Sequence, residues 1–127
     1  MILVAPEMHG RSHRLTPQHK VWLEAGNRFV LGDGGMALLR AIAATGSIRA
    51  AASEVGWSYR HALGYLDNAE RALGYALIER ARGGNERGGA ALTARGQALV
   101  QRYTRFRTRL DRALQTFYRA AFDTNGL

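Results

Sequence analysis

The chain has 127 residues, with 18 Lys and Arg against 10 Asp and Glu, a formal net charge of +8 and a pI near 11.0. That length holds one domain with a real core and leaves no room for a sizeable second one. The absence of cysteine excludes disulfides, thiol chemistry and Cys-type zinc sites.

Nearly all the positive charge is arginine, since Lys20 is the only lysine. Arginine is the better fork for phosphates and guanine edges. Between Arg80 and Arg109 the basic residues Arg80, Arg82, Arg87, Arg95, Arg102, Arg105, Arg107 and Arg109 face few acids. Such a distribution fits a polyanionic partner, with a merely solvated basic face as the plainer alternative. No apolar run approaches a membrane span, and Met1 to Pro6 is too short and too uncharged for a signal peptide. A cytoplasmic protein without membrane attachment is expected.

Residues 1–19 hold both prolines and three of the four histidines and show little periodicity, which predicts a disordered or loosely packed arm. His9, His13 and His19 lack a carboxylate or cysteine at ligand spacing, so neither a metal nor a cofactor is expected there. Lys20 to Gly32 reads as a β-hairpin around Ala25, Gly26 and Asn27, with Val21, Leu23, Phe29 and Leu31 sharing a face. Asp33 is placed to cap a first helix whose apolar stripe is Met36, Leu38, Leu39, Ile42 and Ala43, ending at Gly46.

The stretch from Thr45 to Leu66 carries the punctuation of a helix-turn-helix. Ser47 caps a short helix from Ile48 to Val55, Gly56 ends it, and Ser58 caps a second helix from Tyr59 to about Leu73, closed by Gly74. So tight a turn makes the helices cross steeply, and the second can then lie in the major groove of DNA. Its periodicity turns Ala62, Leu66, Ala69 and Leu73 inward and Arg60, His61, Gly64, Asp67, Asn68 and Arg71 outward. Trp57 reads as a plug between the two helices.

Two short apolar runs, Ala76 to Ala81 and Ala90 to Thr93, flank a glycine-rich, arginine-bearing tip from Arg82 to Gly89. This describes a wing; a P-loop is excluded because the Gly-x-x-x-x-Gly-Lys spacing is absent. From Thr93 a long helix runs to about Phe122, with Leu99, Tyr103, Phe106, Leu110, Ala113 and Phe117 spaced by alternating fours and threes. A seam of that period on so long a helix calls for another helix and predicts a homodimer.

Reading DNA needs donors and acceptors on an open arc near a helix start. Arg60 and His61 supply donors, Asn68 gives or accepts, and Gly64 leaves room for close approach. Ser47 and Ser58 aim helix N-termini at the phosphate backbone, Tyr59 offers a hydroxyl, and Arg80, Arg82 and Arg87 suit phosphates or a narrow minor groove. Catalysis has no comparable constellation: Asp67 and Glu70 have Arg71 beside them, His61 has no nucleophile nearby, and no enzyme activity is expected.

With hairpin, three helices, wing and long helix in that order, Leu39 to Val100 resembles the DNA-binding domain of the ModE family of molybdate-responsive transcriptional regulators. The residues that carry it are ALLRAIAATGSIRAAA, WSYRHA, LIERARGG and GGAALTARGQALV; the GSIxxAA core is shared with the LysR family. The resemblance implies a mainly α, winged helix-turn-helix fold with an N-terminal β-hairpin, a two-stranded wing and a long C-terminal dimerisation helix. It also implies a regulator binding an inverted repeat in double-stranded DNA as a homodimer. The expected division is an arm at 1–19, the winged domain at 20–93 and the dimerisation helix at 94–127. Regulators of that family continue into molybdate-binding domains, whereas this chain ends at Leu127, so binding of molybdate or another effector is not expected of it. The rival expectation is a winged protein-interaction module with only non-specific DNA affinity.

Overall fold

A computed structural model describes residues 13–81 and 89–122. The elements in chain order are β1 (Trp22–Ala25), β2 (Arg28–Gly32), α1 (Asp33–Thr45), α2 (Ile48–Glu54), α3 (Tyr59–Leu73), β3 (Ile78–Arg80), β4 (Ala90–Leu92) and α4 (Ala94–Phe122). This is the mainly helical, winged helix-turn-helix architecture expected from the sequence.

The core is built around α1. Met36, Leu38, Leu39 and Ile42 of α1 are fully buried, and Leu31, Ile48, Ala51, Ala52, Ala62, Leu66, Leu77 and Tyr103 close around them. Ala43, expected on the same stripe, is exposed. It lies past the edge of the face that the buried residues define, and its single methyl adds little when turned to water.

β1 and β2 pair antiparallel around a Gly26-Asn27 turn, but the register shifts between Leu23 and Glu24. Leu23 faces Leu31, whereas Glu24 faces Phe29, so Val30 is the extra residue. A bulge of this kind overrides simple alternation. Val30 and Leu31 are therefore both buried, and Phe29, expected to share a face with Leu31, is 49% exposed.

The expected Asp33 cap is not made. Gly32 occupies the N-cap of α1 and Asp33 is the first helical residue. Its carboxylate instead accepts hydrogen bonds from the Tyr103 hydroxyl and from Arg107 Nε and Nη2 on α4, at 3.1 and 2.9 Å for the arginine. An acidic group in the first helical turn still opposes the positive end of the helix dipole.

Ser47 caps α2 by accepting from the Ala50 amide at 2.9 Å, and Ser58 caps α3 by accepting from the His61 amide at 3.0 Å. Between them Gly56 sits at φ +78°, a left-handed conformation that a side chain makes costly. The Trp57 amide then bonds back to the Ala52 carbonyl at 2.8 Å, fixing the crossing of the two helices.

The wing strands β3 and β4 pair Ile78 with Leu92 and Arg80 with Ala90. Glu70, reaching from α3, accepts from the Leu77 and Ile78 amides at 2.7 and 3.1 Å. Its carboxylate is thus not partnered with Arg71, as its neighbourhood in sequence had implied; Asp67 takes that arginine at 3.0 Å. The wing tip, including Arg82 and Arg87, lies outside the described residues.

Thr93 caps α4, accepting from the Gly96 amide at 2.9 Å. A Cβ on Gly96 would lie 2.5 Å from the Leu77 carbonyl oxygen, so only glycine permits α4 to start this close to β3. The first part of α4 packs through Leu99, Val100 and Tyr103, and Tyr103 is 3% exposed. Residues 13–19, expected as part of a loose arm, are in contact with the same helix. The Tyr118 hydroxyl donates to the Leu15 carbonyl at 3.0 Å, and His19 Nε2 lies 2.9 Å from Arg107 Nη1. Residues 1–12 of that arm lie outside the described residues. No helix among the described residues is long and apolar enough to cross a membrane.

Candidate nucleic-acid interface

α3 is held from behind and open in front. Ala62, Leu66 and Ala69 are buried, while Arg60, His61, Gly64, Asp67, Asn68 and Arg71 are all exposed, as the period predicts. A Cβ built on Gly64 would meet nothing within 4 Å, which leaves a shallow gap in the middle of the exposed arc.

An aromatic brace fixes the rotation of α3. Trp57 stands 4.4 Å from the His61 ring and 4.9 Å from the Tyr65 ring, and Phe29 from the hairpin meets Tyr65 edge-on at 5.9 Å. The Tyr65 hydroxyl accepts from the Gly32 amide at 3.2 Å, and burial raises its pKa, keeping it neutral. His61 is therefore an exposed donor whose ring is steadied on one side by Trp57.

At the N-terminal end of the pair, Ser47 and Ser58 are engaged as caps, with their helices' first amides beside them. Tyr59 is 36% exposed and carries the Arg49 guanidinium over its ring at 3.9 Å. Arg49 escaped the sequence reading. Its signal was faint, a basic residue two positions past a helix cap, and its approach to Tyr59 depends on the crossing of α2 over α3.

Arg80 is exposed on β3, at the base of the wing. The wing is tied to the helix-turn-helix by the Ala90 amide, which donates to the Gly46 carbonyl at 2.9 Å. Ser47, Ser58, Tyr59, Arg60, His61, Gly64 and Asn68 thus lie on one helix pair, with Arg80 on the strand that leads into the wing. Among the described residues no group of His, Asp or Glu could hold a metal ion.

The proposed seam of α4 divides in two. Tyr103 must be withdrawn from it, because its ring is buried in its own domain and its hydroxyl binds Asp33. Burial is the largest cause of the rise of its pKa to about 12. Leu99, Leu110 and Ala113 are half-buried, whereas Phe106 and Phe117 are 46% and 69% exposed.

The model of the family described as "bacterial regulatory helix-turn-helix protein, lysR family" matches residues 35–97, from α1 to the start of α4. The chain carries a winged helix-turn-helix DNA-binding domain related to those of LysR and ModE regulators. The chain is 38% identical over 87 residues to the molybdenum-pterin-binding protein MopB of Rhodobacter capsulatus, a match covering 68% of this chain and 32% of that protein. It is 41% identical over 68 residues to the DNA-binding transcriptional dual regulator ModE of Escherichia coli K12, covering 54% of this chain and 26% of ModE. The chain therefore spans about a third or less of the length of these relatives. Among solved structures, the winged domain resembles the CbnR DNA-binding domain in complex with DNA, with a TM-score of 0.55 and 26% identity over 68% of this chain and 94% of that one. The family model and the ModE relative are both described as regulators.

Proposed function

We propose that this chain is a transcriptional regulator of ModE type that reads an inverted repeat in double-stranded DNA as a homodimer. The observation that carries the reading is the open arc of α3. Arg60, Gly64 and Asn68 are exposed on a helix whose rotation is locked by Trp57, Tyr65 and the hairpin. A rigid helix with a forked donor near its start, an amide side chain two turns on and a gap between them can discriminate base edges. In this reading Arg60, His61 and Asn68 contact bases, whereas Ser47, Ser58, Tyr59 and the wing arginines Arg80, Arg82 and Arg87 hold phosphates. The solved complex of the CbnR DNA-binding domain with DNA supports the same use of the fold.

A two-fold protein imposes a two-fold site, so selection of bound duplexes from a random pool should return a palindromic consensus. Relatives named for molybdenum make molybdenum-linked promoters the first natural sites to test. Arg60→Ala should cost about 1 to 3 kcal/mol on the selected duplex and blur its preference. Arg87→Ala should weaken every duplex alike and lower the salt dependence. Titration of both variants on selected and random duplexes at two salt concentrations checks this. Equal losses on every duplex for Arg60→Ala would instead favour a protein-interaction module with incidental DNA affinity.

A further inference from the structure

Six of the seven arginines of α4 fall on one strip. At 3.6 residues per turn, Arg95, Arg102, Arg105, Arg109, Arg112 and Arg119 occupy about a third of the helix circumference and extend along roughly 36 Å of its axis. All six are exposed, and among the described residues none has a carboxylate within ion-pair distance. The only acid of α4, Asp111, lies on the other side, where it pairs with the seventh arginine, Arg107.

Beyond Arg95, whose guanidinium lies over the Tyr75 ring at 4.1 Å, the strip faces away from the domain. α4 packs on α1 and β4 through an arc centred on Val100, Tyr103 and Arg107, and the arginine strip lies roughly opposite that arc. α3 packs instead on β2 and α2. α3 and α4 share no substantial contact, so the strip and the exposed arc of α3 are separate surfaces.

We propose that this strip is a second DNA-binding surface, which takes the phosphate backbone of a duplex segment separate from the one that α3 reads. The inference rests on the DNA-binding reading above and extends it to bridging of two duplex segments. The strip's length matches one turn of duplex, about 34 to 36 Å. Its arginines form two rows along the helix, as two phosphate strands bordering a groove require, and guanidinium is the suited fork for phosphate. An acidic protein segment would want apolar anchors among the charges. The strip is interleaved by the small or polar residues Ala94, Ala98, Gln101, Ala113, Thr116 and Ala120, and the large apolar residues of α4 lie on the neighbouring arc.

The test uses the full chain, a bead-bound duplex bearing the selected site and a labelled random-sequence duplex free in solution. Wild type should retain the labelled duplex on the beads. The variant Arg102→Gln, Arg105→Gln, Arg109→Gln, Arg112→Gln should bind the bead duplex with unchanged sequence preference but lose the labelled one. Glutamine keeps helix propensity close to that of arginine, so an unchanged circular-dichroism spectrum is expected. The slope of log affinity against log salt for the second duplex should fall by about 3 to 4, near 0.9 for each phosphate contact removed. Equal capture by variant and wild type overturns the proposal, as does the absence of capture by wild type. Capture unchanged in the variant together with loss of polyglutamate binding would assign the strip to an acidic protein and overturn it as well. Arg60→Ala separates the two readings: it should blur site preference while leaving capture of the random duplex intact. Absence of any site preference in wild type, with capture still lost in the strip variant, would sink the regulator reading and leave the strip standing.

Discussion

Asp33 joins two helices, α1 and α4, through one carboxylate. Arg107 and the Tyr103 hydroxyl both bind it, and these hydrogen bonds, the arginine's foremost, hold its pKa below the usual 3.8. An acid whose pKa is lowered by folding stabilises the fold above its unfolded pKa, and that contribution disappears as the pH falls through the folded value. Tyr103 acts at the other end of the scale. Its pKa is raised to about 12, so its contribution is complete below its unfolded value near 10 and is lost as the pH rises toward 12. The Asp33 side chain is 54% exposed, which limits the ion pair to the scale of surface pairs. Asp33→Asn should therefore cost about 1 to 2 kcal/mol at pH 7, most of it from the bonds to a charged acceptor. Melting curves of wild type and variant should converge as the pH falls through the lowered pKa of Asp33, below which the aspartate is protonated in both states. A gap between them that persists unchanged at pH 2 would show that the charge of Asp33 contributes nothing.

The helix-turn-helix depends on Gly56, the one residue between α2 and α3 with a left-handed backbone. Gly56→Ala should cost about 1 to 2 kcal/mol, because open space around the position does not relieve the strain of φ +78°. DNA affinity should fall by more than stability alone explains, since relief of the strain rotates α3 against α2. Chemical denaturation and duplex titration on the same variant separate the two, and an unchanged melting point would refute the strain. These helices were legible in the sequence because their signals are local: Ser47, Gly56, Ser58 and Gly74 each act within four residues of where they stand. The features that escaped it are tertiary. The bulge at Val30 follows from packing the hairpin on α3, Glu70 bonds seven and eight residues away, and Asp33 finds partners seventy and seventy-four positions on. No periodicity encodes such partners. The outward arc of α3 was readable from its period, whereas Arg49 entered the site only through the crossing of two helices.

At the scale of the molecule, α4 extends beyond the body of the domain. After Tyr103 its apolar arc is covered only in part, leaving Phe106 and Phe117 at 46% and 69% exposure beside half-buried Leu110 and Ala113. Covering a phenylalanine ring contributes roughly 2 kcal/mol, and a symmetric pair of helices would cover four. That sum is comparable with the freedom two chains lose on association, so these rings decide whether the pair holds. Phe106→Asp with Phe117→Asp should accordingly convert the proposed homodimer into monomers at micromolar concentration, read by sedimentation equilibrium. Both residues lie on α4, outside the exposed arc of α3, so the monomer should keep the base preference of a half-site. Its advantage for the full inverted repeat over a single half-site should disappear, because that advantage comes from joining two reading helices in one particle. A double variant that sediments like wild type would remove the seam from the dimer. One that becomes monomeric yet still prefers the full repeat would place the cooperative contact between the winged domains themselves.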